Sequence, residues 1–263
     1  MNKTLSLVLC LILMLTLASC AGETETQSDA EATALAESAA DTTEETSAEK
    51  TPLYDGTLKF DAEKAYNKLL DNYYKLIANP ENEALYFEGA TGIIEAVCSL
   101  GDEALNTIGY AFLDIDSDGI EELFIGILSK NVESVKNELY AVYTHNGEKP
   151  VLLLEGMARS AYSYIGKQSF FYHGSGGVAY SFFGEYVFKD ETLVPKYYYF
   201  TYGRTEEFRK IGFYHNTGEQ LDKPVSGELL GTSDEFFALQ DELAQKTVQI
   251  ENIKFSDFKV DNY

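Results

Sequence analysis

Between Tyr110 and Ile125 the chain reads YAFLDIDSDGIEELFI, an acidic turn set between two apolar runs, and this stretch restricts the fold more than any other. Counting Asp114 as the first position, carboxylates fall at the first, third and fifth places, Gly119 at the sixth, the Ile120 carbonyl at the seventh and Glu122 at the ninth. Neighbouring carboxylates repel one another unless a cation lies between them. A hard divalent ion such as Ca²⁺ takes about six to eight oxygens at roughly 2.3–2.6 Å, and alternate side chains converge on one point when the chain curls around it. Glycine at the sixth place admits the backbone angles of that curl. The sequence therefore predicts a calcium loop with Asp114, Asp116, Asp118, the carbonyl of Ile120 and Glu122 as ligands. Mg²⁺ fits less well, because it usually keeps several waters. The flanks are β-branched or aromatic and the second contains Gly126, which reads as strand, turn and strand.

The ligand order is that of an EF-hand-type loop, with two departures. Ile125 stands at the twelfth place, where an EF-hand carries a bidentate Glu, and strands replace the two helices. The segment resembles the strand-loop-strand calcium sites of FG-GAP and integrin-type repeats, with Glu122 where those usually carry Asp. Only one copy is present, so a repeat propeller does not follow. The ligands come from one local loop with no catalytic group beside them, so the ion is expected to be structural.

The N-terminus reads as an export signal. Lys3 precedes an apolar run from Leu5 to Leu17, too short for a spanning helix, which needs about 20 apolar residues. At its end, Leu17-Ala18-Ser19-Cys20 resembles the lipobox of bacterial lipoproteins. That resemblance implies a signal peptide over residues 1–19, lipid on the Cys20 thiol, and a membrane anchor on the outer face. Two or three acyl chains would make anchoring effectively permanent, since each buried methylene adds about 0.8 kcal/mol. Residues 20–52 then form a disordered acidic tether, with nine acidic side chains against Lys50 alone and no aromatic residue. As a flexible coil it would average roughly 30 Å end to end, which suits a Gram-positive surface protein. Residues 53–263 are expected to form a single extracytoplasmic domain.

The net charge of −23 argues against nucleic acid, whose phosphates would be repelled, and against docking on anionic lipid. With Cys10 in the signal and Cys20 lipidated, Cys98 has no partner for an internal disulfide. It is expected to be a small buried apolar residue, and a metal ion could be the staple instead. His173-Gly174-Ser175-Gly176-Gly177 lacks the ending of a phosphate-binding loop and reads as a wide loop between strands. His145 and His215 sit in turn-like sequences that would leave them exposed. Three histidines in separate turns do not make a zinc site.

The remaining pattern is α+β: N-terminal helices, then a mainly antiparallel β-sheet meander with a short C-terminal helix and closing strand. Asp61 caps a helix whose apolar positions recur at three- and four-residue steps until Asn79-Pro80, and a second helical region runs from Thr91 to Ile108 with a break at Gly101. Strands are expected over 139–144 and 151–154, joined at His145-Asn146-Gly147, and then over 160–165, 169–172, 178–188, 193–202 and 207–214. Thr232 with Glu235 opens a short helix through Lys246, and Thr247 to Phe258 reads as a closing strand. Taken with YAFLDIDSDGIEELFIG, ELYAVYTHNGEKPVLLLEG and GSGGVAYSFFGEYVF, this order resembles a group of uncharacterised lipoproteins from anaerobic Gram-positive bacteria. The resemblance implies fold and location and no activity. A non-enzymatic binding or adhesion module is the leading expectation, with a glycan or protein ligand on the aromatic strand Tyr197, Tyr198, Tyr199, Phe200 and Tyr202. A calcium-supported cell-surface hydrolase and an accessory structural subunit of an envelope complex are the alternatives.

Overall fold

The structure, a computed structural model, describes residues 59–128, 138–177, 179–204, 210–217 and 225–259, all within a unit running from Leu58 to Tyr263. The signal sequence, Cys20 and the tether lie outside the described residues, as does the expected strand start at 207.

Asp61 opens helix α1 (Ala62–Ala78) by accepting the Lys64 N–H at 3.2 Å, which satisfies one of the first-turn donors. The helix buries Ala62, Tyr66, Leu70, Tyr73, Leu76 and Ile77, the face that the three- and four-residue spacing marks out. Helix α2 (Thr91–Leu100) breaks at Gly101, which takes φ +55°, and the chain resumes as a single turn, α3 (Ala104–Thr107). The buried side of α2 is Gly92, Ile93, Ala96 and Val97. Cys98 lies one step past that side and is exposed, correcting the expectation of a buried thiol.

Ten strands follow before the last helix: β1 (Gly109–Leu113), β2 (Glu122–Ile127), β3 (Glu138–His145), β4 (Pro150–Glu155), β5 (Ser160–Gly166), β6 (Ser169–Gly177), β7 (Tyr180–Lys189), β8 (Thr192–Gly203), β9 (Ile211–Asn216) and β10 (Gly227–Leu229). Helix α4 (Ser233–Ala244) and strand β11 (Ile253–Lys254) complete the chain. The strands form one antiparallel sheet in the order β10-β9-β8-β7-β6-β5-β3-β2-β1-β11, with β4 sharing the edge of β3 with β5. This is the expected meander. Asn146 sets its first wide hairpin by accepting the N–H groups of Glu148 and Lys149.

Alternation gives the sheet two apolar faces. On one, Tyr66 of α1 stacks on Phe112 at 6.0 Å and Tyr73 meets Tyr143, so the first helices cover β1 to β3. Further along, Phe171, Phe183 and Phe213 receive Phe236 and Leu243 of α4. The other face closes on itself. Strand β4 comes against β8, and Phe124, Val142, Leu154, Tyr164 and Phe170 share one core with Leu153 and Leu193. Tyr198 and Phe200 are buried beside Tyr172, Tyr180, Phe182 and Tyr186 in the continuation of that face. Tyr197 and Tyr199 pack on the α4 side, so a second layer accounts for the aromatic strand's other face; Tyr202 is 45 % exposed.

Three expectations change. The His173–Gly177 stretch is the end of β6, not a loop, because Gly174 lets the Phe182 ring lean over the backbone where a Cβ would collide. His145 and His215 are half-buried strand residues: His145 ends β3 against Phe60 and Tyr66, and His215 pairs with Tyr199. The closing strand shrinks to Ile253 and Lys254 on β1, since Phe255 turns inward as a fully buried plug and starts a 3₁₀ turn.

Candidate metal centre

The acidic turn joins β1 to β2, whose pairing from Gly109↔Gly126 to Leu113↔Glu122 brings the two ends of the turn side by side. Within it the backbone winds around its own carboxylates. Asp114 accepts the N–H groups of Ser117 (2.7 Å) and Gly119 (3.2 Å), Asp116 accepts that of Asp118 (3.3 Å), and Asp118 that of Ile120 (2.7 Å). Ser117 and Gly119 take φ of +65° and +89°, left-handed angles that draw the side chains to one side.

Oxygens of Asp114, Asp116 and Glu122 all lie within 4.8 Å of one another, close enough to share one ion. They grade from exposed Asp114 through half-buried Asp116 to buried Glu122. Asp118 is not in this group, and Ile120 is buried at the foot of the turn. All candidate donors are oxygens, which suits a hard cation.

Glu122 is only 1 % exposed, and an ionised carboxylate there is costly. Burial, reinforced by the charges of Asp116 and Asp118, pushes its carboxyl up to about 8, although hydrogen bonds from Ile115 N–H and the Thr144 hydroxyl pull the other way. Burial and the Asp118 charge also raise Asp116. A cation among these three oxygens would relieve both penalties. The Thr144 hydroxyl donates to Glu122 Oε1 at 3.1 Å and Ile115 N–H to Oε2 at 3.1 Å, so the carboxylate is fixed from β3 and from the turn. From the helical layer, the Tyr66 hydroxyl donates to the Glu121 carbonyl at 3.1 Å. Neither Thr144 nor Tyr66 is evident from the loop motif; a threonine within the apolar run ELYAVYTH is the one sequence sign of the first.

Comparison of the chain with protein-family models, with curated proteins and with solved structures finds no match in any of the three.

Proposed function

We propose that this chain is an exported surface lipoprotein, anchored through lipid on Cys20, whose domain is braced by one structural Ca²⁺ in the β1–β2 turn and serves as a binding module. The observation that carries the metal reading is the convergence of Asp114, Asp116 and Glu122, with buried Glu122, the first residue of β2, fixed by the Thr144 hydroxyl from β3. Asp118 and the Ile120 carbonyl would complete the set as the turn tightens, and water would fill the exposed side. The anchor is supported by the lipobox-like sequence alone. Its check is a mass measurement of the N-terminal peptide from membranes, where an unmodified Cys20 would end that part of the reading.

The metal is tested by melting the full chain with calcium and with a chelator. At about 2 mM calcium and a dissociation constant near 10⁻⁴ M, the gain is roughly 1.8 kcal/mol, or about 4–7 °C for a domain of this size. Asp116→Ala should melt at one temperature in both conditions. A wild-type curve indifferent to calcium would overturn the site.

A further inference from the structure

Helix α4 is fastened to the sheet by few side chains. Of its twelve residues only Phe236 and Leu243 are buried, while Phe237 is 41 % exposed. Seven positions separate Phe236 from Leu243, so they form one narrow stripe, and Phe237 lies a quarter turn to its side. Asp234 precedes Phe237 by three residues and Asp241 follows by four, which places a carboxylate on each side of the ring along the same helix face. No ion pair engages either aspartate among the described residues. Just before the helix, Leu230 is 96 % exposed, one residue past the end of edge strand β10.

The helix itself is acidic: from Ser233 to Gln245 it carries Asp234, Glu235, Asp241 and Glu242 and no basic residue, and of these Glu242 is paired with Lys246. An exposed ring between two unneutralised carboxylates, in a chain of net charge −23, repels anionic surfaces and further copies of itself. What complements it is a segment with apolar side chains on one face and Lys or Arg beside them. Such a segment would bury Phe237 and Leu230 while its cations meet Asp234 and Asp241, the arrangement in which an apolar anchor supplies affinity and charge supplies selection.

We propose that the outer flank of α4, with Phe237 between Asp234 and Asp241 and with Leu230 at its head, docks a basic amphipathic segment of a partner protein. The surface is remote in sequence from the β1–β2 turn and does not rest on the calcium reading.

The test uses two synthetic fourteen-residue peptides with the same leucine pattern, one carrying lysine and one carrying glutamate at the polar positions. Binding to the purified full chain is followed by fluorescence anisotropy, with and without calcium. The lysine peptide should bind at least tenfold more tightly than the glutamate peptide. Phe237→Ser and the pair Asp234→Asn, Asp241→Asn should each weaken it at least fivefold while each variant keeps the wild-type circular dichroism spectrum, which separates loss of the surface from loss of the fold. Equal binding by the variants would mean adsorption to the general acidic surface, and equal binding of both peptides would mean an apolar patch without charge selection; either overturns the proposal. A wild-type dimer in solution that Phe237→Ser dissolves, with no peptide binding, would assign the face to a second copy and overturn it equally.

Discussion

Thr144 is a single hydroxyl whose loss should be felt well beyond its own volume. It donates to one oxygen of a carboxylate that is 1 % exposed, so Thr144→Val leaves a buried acceptor without its donor. The expected cost is about 1–3 kcal/mol, read from urea unfolding in the presence of chelator. Glu185 gives a prediction with a sign. Burial alone would raise its carboxyl, but hydrogen bonds from Lys196, Tyr197 and Ser169, with the Lys196 charge, outweigh that and hold it below the usual range. A depressed carboxyl stabilises the fold above its unfolded pKa, and that contribution is lost as pH falls through the folded value. Wild type should therefore lose stability relative to Glu185→Gln from about pH 4 downward, and the difference should shrink in high salt because Lys196 is more than half exposed. Parallel curves for the two proteins across that range would refute the network. At this scale the sequence showed the spacing of the loop carboxylates plainly. It did not show Thr144 or Tyr66, whose roles depend on which strand and helix the tertiary fold lays beside the turn, and it misplaced Cys98 by one helical step.

Elements were the most readable level, because their signals are local. Asp61, Gly101, His145-Asn146-Gly147 and the Thr232–Glu235 capping box each act within a few residues, and each marks a boundary in the structure. The box is complete, with both reciprocal hydrogen bonds present, so Thr232→Ala should cost about 1 kcal/mol and loosen α4 before the rest of the fold, as followed by hydrogen exchange. Misreadings arose where the deciding contact is distant. The glycine run of β6 looked like a loop because nothing in 173–177 reveals that Phe182 leans over Gly174 from the next strand. Gly126, rightly read as strand, likewise has its deciding contact on another strand. At the irregularity between β2 and β3, a Cβ there would press into the Glu138 carbonyl, so Gly126→Ala should destabilise by about 1–3 kcal/mol without touching the acidic turn.

For the molecule as a whole, the meander could be anticipated from strand spacing, whereas its closure could not. The aromatic strand β8 suggested a ligand face, with no sign in its own residues of the layer that packs on it. The fold supplies the layer through α4 and closes the opposite face by bringing β4 against β8. Closure at the other end depends on Phe255, which is fully buried near Tyr73 and Tyr110 and is held by a backbone bond from its N–H to the Ile108 carbonyl. Phe255→Ala should cost about 3–5 kcal/mol and expose the β1 edge, which limited proteolysis of the C-terminal segment would detect.

Phe255 touches Tyr73, and Phe258 touches Tyr74, on the helix that begins only two residues after Phe60. Entrance and exit of the described chain thus share one helix, at the side of the sheet where β1 lies. A substitution that frees Phe255 and Phe258 would therefore loosen the same helix on which the described chain enters. The far side of the sheet, formed by β8, β9, β10 and α4, carries neither end of the described chain.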